Sequence, residues 1–223
     1  MIFLTSDTHF GHAMMAKMRG HSSIDAMNES IVERWNEVVR TTDEVLHLGD
    51  FSFAGTTRTL EILARLNGRI TLVPGNHDAP SMLRRLAEAG VAVAEPLIRR
   101  KLWTDRPRAT LCHYPLLTWP SSHHGAWHFH GHSHGNLEAQ YTSTRIDVGW
   151  DCFNDPVSLD VLEDLMKRRR YTPVDHHIEG EAAEQAPVCA ECGGRRRVAC
   201  THDECLDAEC RPCSRCMHLT EEA

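Results

Sequence analysis

Short apolar runs in the first 134 residues each end in a cluster of polar residues, and this alternation constrains the fold more than any other feature. In chain order the clusters are Asp7-Thr8-His9, Gly49-Asp50, Gly75-Asn76-His77-Asp78, His113 and Gly131-His132-Ser133-His134. Helical patterns separate the first three apolar runs, so the order βαβαβα predicts a parallel sheet covered on both faces. Ligand groups of such sheets collect beyond the carboxyl ends of the strands, and we therefore expect these clusters to meet there.

The periodicity of apolar residues predicts the individual elements. Strands are expected at residues 2–6, 45–48, 70–73, 91–94, 97–103, 109–113, 127–130 and 144–148. Helices are expected from Ser22-Ser23 to about residue 40, around Leu60 to Leu66, from Pro80 to Gly90, and over residues 158–170. Ser22 with Asp25 is a weak capping box for the first of these helices.

Composition excludes some classes of protein. The net charge of -7 argues against a protein that mainly coats nucleic acid or an anionic membrane. Hydrophobic residues make up 41% and charged residues 25%, as in an ordinary soluble protein. The start of the chain lacks a basic targeting region, and no apolar stretch reaches the ~18 residues of a membrane span. The cytoplasm is therefore the expected compartment.

The residue types of the polar clusters favour metal binding. Aspartate, asparagine and histidine suit Mn, Fe, Zn, Ni or Co in a shell of nitrogen and oxygen ligands. Any one cluster alone would more often be an accidental group of loop residues. All five in order, each after an apolar run, predict a two-metal hydrolytic site.

The same clusters resemble the motifs of the calcineurin-like metallophosphoesterase superfamily, in which D-x-H, G-D, G-N-H-D/E, H and G-H-x-H occur in this order. The longer stretches TSDTHFGH, HLGDF, PGNHD, CHYPL and HFHGHSHG resemble a small prokaryotic and phage branch of predicted phosphoesterases. The resemblance extends over about residues 1–165. It implies a four-layer α-β-β-α sandwich in a domain of residues 1–170.

The resemblance also implies two divalent metal ions and the ligands of each. The first ion would be held by Asp7, His9, Asp50 and His134. The second would be held by Asp50, Asn76, His113 and His132. Asp50 would bridge the ions because a carboxylate has two oxygens. A hydroxide that bridges both ions would then attack the phosphorus of the substrate.

Three further residues have expected roles near the reaction. The resemblance places His77 beside the leaving group, as a transition-state stabiliser or general acid. It places Asp78 behind His77, where it would orient the ring. His12 has no ligand role in the family pattern and is a candidate for contact with the substrate phosphate. Phe53 departs from the pattern, because the superfamily often carries an aspartate there.

The C-terminal part differs in character from the rest of the chain. Residues 171–187 are polar and contain prolines and acidic residues, as expected of a linker. Residues 188–218 carry seven cysteines and a histidine, which are Cys189, Cys192, Cys200, His202, Cys205, Cys210, Cys213 and Cys216. Eight such ligands are enough for one or two structural zinc ions in a ribbon-like segment. The alternative is an unstructured tail.

These observations predict a metal-dependent hydrolase of phosphomonoesters or phosphodiesters, with diesters preferred because no dedicated phosphate clamp for a monoester is visible. The substrate would be a phosphoester, with nucleotides and nucleic acid among the candidates. The rival interpretation is a non-catalytic adaptor or nucleic-acid-binding protein, which uses the fold as a scaffold and the zinc segment to bind its partner.

Overall fold

The computed structural model describes residues 1–137 and 143–169, which form a mixed α/β fold with two sheets. The strands are β1 (Ile2–Thr5), β2 (Glu44–His47), β3 (Arg69–Leu72), β4 (Ala92–Val93), β5 (Leu97–Arg100), β6 (Ala109–Cys112), β7 (His128–His130), β8 (Arg145–Asp147) and β9 (Val157–Ser158). The first sheet has the order β4-β3-β2-β1-β9, in which β1 to β4 are parallel and β9 is antiparallel. The second has the order β5-β6-β7-β8, in which β5 is antiparallel and the others are parallel.

Helices cover one face of the first sheet. The α-helices are α1 (Ala13–Met18), α2 (Ile24–Val38), α3 (Thr56–Leu63), α4 (Pro80–Glu88), α5 (Trp150–Phe153) and α6 (Leu159–Lys167). Side chains of α1 to α4 and of Trp150 pack with Phe3, Val45 and Leu72 of the sheet in one hydrophobic cluster. Trp35 on α2 is fully buried in this cluster, and its indole N–H donates to the carbonyl of Asn67 at 2.9 Å.

The sequence-based helices are confirmed with small shifts at their ends. Helix α2 is capped by Ser23 rather than Ser22, and the Ser23 hydroxyl accepts from the backbone N–H of Ala26 at 3.0 Å. Pro80 lies in the first turn of α4, where its missing N–H has no consequence. The short elements α1, α5 and β9 were not predicted, because none of them is long enough to show a period.

A second hydrophobic cluster lies between the two sheets. Leu4 and Leu46 of the first sheet meet Leu111, Phe129 and Ile146 of the second sheet. Leu162 and Met166 of α6 pack in the same cluster, and α6 contacts β1. Phe3 and Val45 lie in the first cluster, and Leu4 and Leu46 lie in the second. Both faces of β1 and β2 are thus covered, which explains why their apolar residues form continuous runs.

The outer face of the second sheet is covered by the segment between β6 and β7. His128 lies on this face, beside the ring of Trp119 at a centroid distance of 5.5 Å. The Nη1 group of Arg145 donates to the carbonyl of Leu116 at 2.6 Å. The segment includes a 3-10 helix at Ser122–His124. In the described residues, then, this loop occupies the place of the fourth, α-helical layer of the expected sandwich.

The residues that the structure describes end before most of the predicted C-terminal features. The linker at 171–187 and the Cys-rich segment at 188–218 lie outside them, so the zinc ribbon stays a prediction. None of the helices in the described ranges combines the length and the apolar character that crossing a membrane requires.

Candidate metal centre

The polar clusters meet where parallel strands of both sheets end. Asp7 follows β1 and Asp50 follows β2, while Asn76 comes after β3. From the second sheet, His113 follows β6, and His132 comes shortly after β7. The two sheets pack face to face with these ends on the same side, so residues more than a hundred positions apart come within a few ångströms.

One group of side chains gathers around the carboxylate of Asp7. The Nε2 atom of His9 lies 3.6 Å from Asp7 Oδ1, and the Nε2 atom of His134 lies 4.0 Å from the same oxygen. The three ligand atoms are mutually within 4.8 Å. The other oxygen of Asp7 is already used, because it accepts from the backbone N–H of His132 at 2.9 Å.

A second group gathers around Asn76. Its Oδ1 atom lies 2.9 Å from His113 Nε2 and 3.0 Å from His132 Nδ1. The Nε2 atom of His113 is also 3.5 Å from Asp50 Oδ2. The Nδ1 atom of His113 is 2.9 Å from the carbonyl of Leu48, and this contact orients the ring so that Nε2 faces the group.

Asp50 lies between the two groups, and its Oδ2 atom faces both. Its Oδ2 atom is 3.9 Å from His9 Nε2 and 3.5 Å from His113 Nε2. Its Oδ1 atom instead accepts from the backbone N–H of His77 at 2.9 Å. Oδ2 therefore faces ligand atoms of both groups, and the bridging role expected of the Asp50 carboxylate stays a prediction.

The unsatisfied atoms of the site fit divalent cations. Asp7 Oδ1, His9 Nδ1 and His9 Nε2 are buried and have no hydrogen-bond partner among the described residues. Leaving such groups unpaired costs about 1–3 kcal/mol each, so their clustering requires compensation. A carboxylate oxygen and imidazole nitrogens that converge from several directions match the ligands that Mn, Fe, Zn, Ni and Co accept.

The backbone of the site is strained in a way found in few other described residues. Asp7, His9, Asp50, His132 and His134 have φ between 48° and 68°, and they are five of the seven non-glycine residues with positive φ in residues 1–137 and 143–169. Non-glycine residues in this region cost about 1 kcal/mol or more each. Backbone strain concentrated in the ligand residues indicates that ligand geometry, rather than stability, determines these conformations.

Two glycines of the motifs are required by close approach. A Cβ atom at Gly49, where φ is +99°, would lie 2.6 Å from the backbone of Gly75 and 2.7 Å from His113 Nδ1. A Cβ atom at Gly131 would overlap the Ser6 hydroxyl and Asp7 Oδ2. Only glycine lets the loops of the two sheets come this close.

Arg19 and Asp151 support the site from behind, and sequence reasoning missed both. The guanidinium of Arg19 donates to the two oxygens of Asp151 at 2.7 and 2.8 Å and to the backbone carbonyls of Asp7 and Thr8 at 2.7 and 2.8 Å. Asp151 Oδ2 also lies 2.6 Å from His134 Nδ1. The carboxylate thereby holds the proton of His134 on Nδ1 and leaves Nε2 free to bind a metal.

The charges of the site follow from these contacts. Burial would raise the pKa of Asp7, but the imidazole of His9, at a distance longer than a hydrogen bond, and those of His113 and His134 bring it below its usual value. Burial and the neighbouring His113 lower the pKa of His132, which keeps this ring neutral. The hydrogen bond to Asp151 raises the pKa of His134.

Asp78 has partners other than those expected from the resemblance. Its Oδ2 atom accepts from the N–H groups of Asp50 and Gly75, both at 2.8 Å, and its Oδ1 atom accepts from Phe51 at 3.1 Å. The buried carboxylate thus ties the loop of Asp50 to the loop of Asn76. Asp78 positions the backbone of these loops rather than the ring of His77.

His77 and His12 lie at the open side of the site. The ring of His77 is exposed, and its centroid is 6.2 Å from that of His9. The centroid of His12 is 5.8 Å from that of His9. His12 also caps α1, because its Nδ1 atom accepts from the N–H groups of Met14 and Met15 at 3.2 and 3.3 Å. In the neutral ring the proton is then on Nε2, which makes His12 a donor.

Comparisons with known proteins agree with this geometry. The profile of the calcineurin-like phosphoesterase superfamily domain matches residues 1–148. The uncharacterized protein MJ1445 of Methanocaldococcus jannaschii is 32% identical over 177 residues, which cover 75% of this chain and 92% of that protein. The Gene 66 protein of Mycobacterium phage D29 is 28% identical over 198 residues, with 74% of this chain and 95% of that protein covered.

A solved structure has the same fold. The crystal structure of AQ665, a protein of unknown function from Aquifex aeolicus, superposes with a TM-score of 0.59 at 25% identity and covers 74% of this chain and 98% of that one. The matched region of the superfamily profile contains all five polar clusters that meet in the site. This chain therefore belongs to the calcineurin-like phosphoesterase superfamily.

Proposed function

We propose that this protein is a metal-dependent phosphoesterase with a binuclear centre, and that it prefers phosphodiesters. One observation carries the proposal. Two groups of ligand atoms, one around Asp7 and one around Asn76, share Asp50 Oδ2, which lies 3.9 Å from His9 Nε2 and 3.5 Å from His113 Nε2. The unpartnered atoms of Asp7 and His9 support the same conclusion, because a cation would give these buried atoms the partner that they lack among the described residues.

The proposed ligands follow the two groups. Asp7, His9, Asp50 and His134 would hold one ion, and Asp50, Asn76, His113 and His132 would hold the other. Divalent ions at these positions would lower the pKa of water and neutralise the charge that develops on the phosphoryl oxygens.

The side chains at the open face would act on the substrate. His77 is anchored through its backbone N–H to Asp50, and its exposed ring is free to donate a proton to the leaving oxygen. His12 would donate through Nε2 to a phosphoryl oxygen, because its Nδ1 atom is used in capping α1. Neither ring needs to bind a metal for these roles.

The hydrogen bonds of Arg19 within the protein support the preference for diesters. A phosphomonoester carries close to two negative charges, and enzymes commonly hold it with a free arginine. The guanidinium of Arg19 contacts the site, but its side chain is about nine-tenths buried and is bonded to Asp151, Asp7 and Thr8. It is therefore committed to the protein, and a singly charged diester suits the site better.

An activity panel tests the proposal. Purified protein loaded with Mn²⁺, Ni²⁺, Fe²⁺ or Zn²⁺ is given bis-p-nitrophenyl phosphate and p-nitrophenyl phosphate. The variant Asp50→Asn is assayed beside Asp155→Asn, a control on an exposed ion pair with Arg34. We expect turnover that depends on metal, is faster with the diester, and is lost with Asp50→Asn only. No turnover with any metal or ester would favour the adaptor interpretation instead.

Elemental analysis separates the two kinds of metal site. We expect the full-length chain to bind two divalent ions at the candidate metal centre, and we expect Asp50→Asn to weaken their binding. We also expect one or two zinc ions that are lost when residues 187–223 are removed. A full-length chain without additional zinc would refute the structural role predicted for the cysteines.

A further inference from the structure

The most unusual side chain at the mouth of the site is Phe53. Its ring is wedged among three histidines, with centroid distances of 4.2 Å to His12, 4.9 Å to His77 and 5.4 Å to His9. The residue is nevertheless 42% exposed. The ring therefore lines the surface that a substrate at the metal centre would contact.

Burial in the hydrophobic core does not account for the position of the Phe53 ring. Phe51, two residues earlier, is 1% exposed and packs against Phe10 at a centroid distance of 5.2 Å. Phe53 instead leaves the core, while its backbone N–H donates to the carbonyl of Phe10 at 2.7 Å. The backbone is thus anchored while the ring remains 42% exposed among the three histidines, at a position where the superfamily often carries an aspartate. A half-exposed aromatic ring beside the ligand groups offers a flat apolar surface on which a planar group of the substrate can pack.

A second exposed ring lies at the other group of ligands. Tyr114 is 45% exposed, and its ring lies 4.8 Å from that of His132 and 5.3 Å from that of His113. Phe53 contacts the histidines near Asp7, whereas Tyr114 contacts those near Asn76. Each proposed metal position is therefore flanked by its own aromatic ring.

We propose that the substrate is a small phosphodiester that carries a planar aromatic group of the nucleobase type, and that Phe53 and Tyr114, one beside each group of ligands, form the aromatic surface that receives it. This inference rests on the proposed phosphoesterase function and specifies its substrate class. Stacking on an aromatic side chain accepts any base, because every base has a π-face.

The charges of the described site favour a small nucleotide diester over a nucleic-acid polymer. A polymer is bound mainly through lysines and arginines that neutralise successive phosphates. The guanidinium next to the site, that of Arg19, is bonded to Asp151 and to backbone carbonyls. The chain as a whole carries a net charge of -7. Aromatic contacts, rather than a track of positive charge, would therefore provide the affinity.

The test compares two esters with the same leaving group. The Mn²⁺-loaded protein is assayed with p-nitrophenyl thymidine 5′-phosphate and with p-nitrophenyl methyl phosphate, which lacks the base. We expect a higher kcat/KM for the nucleoside ester, and we expect the ratio of the two values to fall about tenfold in Phe53→Leu or Tyr114→Leu, mainly through KM. Phe53→Tyr and Tyr114→Phe should keep the ratio, because they keep a ring. Val161→Ala, an exposed residue on α6, is the neutral control.

A binding measurement adds a readout that does not depend on turnover. Calorimetric titration with thymidine 5′-monophosphate should give weaker binding to Phe53→Leu than to the wild type, while titration with methyl phosphate should not distinguish the two. Stronger inhibition by a long oligothymidylate than by its dinucleotide, compared per nucleotide, would refute the preference for a small substrate.

The failures of the two proposals are distinguishable. If both esters are hydrolysed but their ratio is near one, or is unchanged in both leucine variants, the stacking proposal is wrong and the phosphoesterase stands. If neither ester is hydrolysed with any metal, the phosphoesterase proposal fails, and the substrate class fails with it.

Discussion

Asp151 offers the sharpest test of how this site is built, because it is no candidate ligand itself and yet contacts one, His134. We predict that Asp151→Asn weakens metal binding. An asparagine keeps the size of the side chain but has one acceptor oxygen for the three N–H groups of Arg19 and His134 that Asp151 contacts. When that oxygen serves Arg19, the amide N–H group faces His134 Nδ1. The proton of His134 would then move to Nε2, the atom that faces Asp7 Oδ1 at 4.0 Å, and a protonated nitrogen cannot bind a cation.

The size of the effect can be worked from the same contacts. Loss of a carboxylate that orients a histidine ligand typically reduces metal affinity about 10–100-fold, or roughly 1.4–2.7 kcal/mol. Arg19 also loses its ionic partner. The side chain of Arg19 is 9% exposed and that of Asp151 is 22% exposed. We therefore expect Asp151→Asn to lower stability by about 2 kcal/mol, which is less than the cost of breaking a fully buried ion pair.

Two measurements separate these effects. Mn²⁺ affinity is determined by calorimetry on metal-free protein, and Tm is measured with and without Mn²⁺. Asp155→Asn is the matched control, because its partner Arg34 lies 2.8 Å away and is 45% exposed; we expect unchanged affinity and a change in stability below ~1 kcal/mol. Equal Mn²⁺ affinity in Asp151→Asn and Asp155→Asn would falsify the role assigned to Asp151.

Three further predictions concern the backbone and the charges. Gly131→Ala should abolish Mn²⁺ binding in calorimetry and lower stability in thermal melts by about 1–3 kcal/mol, because the added Cβ would overlap Ser6 and Asp7. Gly55→Ala is the control: its Cβ would lie in open space, and neither property should change. Glu44→Gln should lower the free energy of unfolding at neutral pH by about 1 kcal/mol. Arg100 lowers the pKa of Glu44 in the folded protein. The stability that the ion pair provides is therefore fully present above the usual pKa of glutamate, and it is lost as pH falls through the lowered pKa. A difference in stability between Glu44→Gln and the wild type that persists in strong acid would contradict this role of the ion pair. Burial lowers the pKa of His128 to about 3. The free energy of unfolding should therefore decrease by up to ~1.4 kcal/mol per pH unit as pH falls from about 6.5 to 3. If urea melts give the wild type and His128→Asn the same dependence of stability on pH, the buried neutral histidine is not its cause.

Much of the fold could be predicted because its causes are local. The strands β1, β2 and β3 are apolar runs that end in polar residues, and α2 has buried residues at helical spacing. The helix α1 was missed because its six residues are held by the cap of His12 and by packing of Met15, which no period reports. The strand β9 was missed because two residues carry no pattern.

The candidate site was predicted in its composition but not in its detail. The motifs identified Asp7, Asp50 and His134 as neighbours, and the structure brings these residues together. They did not identify Asp151, whose role depends on a contact with an arginine 132 positions away in the chain. They also assigned Asp78 to the ring of His77, although its oxygens bind three backbone N–H groups.

From the order of its residues alone, this chain could be assigned an α/β fold, a set of candidate metal ligands and a superfamily, because strand patterns and ligand types are properties of short segments. The packing of two sheets settles the rest. It determines that Oδ2 of Asp50 faces both groups of candidate ligands, that Asp151 contacts His134, and that Phe53 is half-exposed beside the site. These features depend on distances between segments far apart in the chain, and such distances exist only once the sheets have packed.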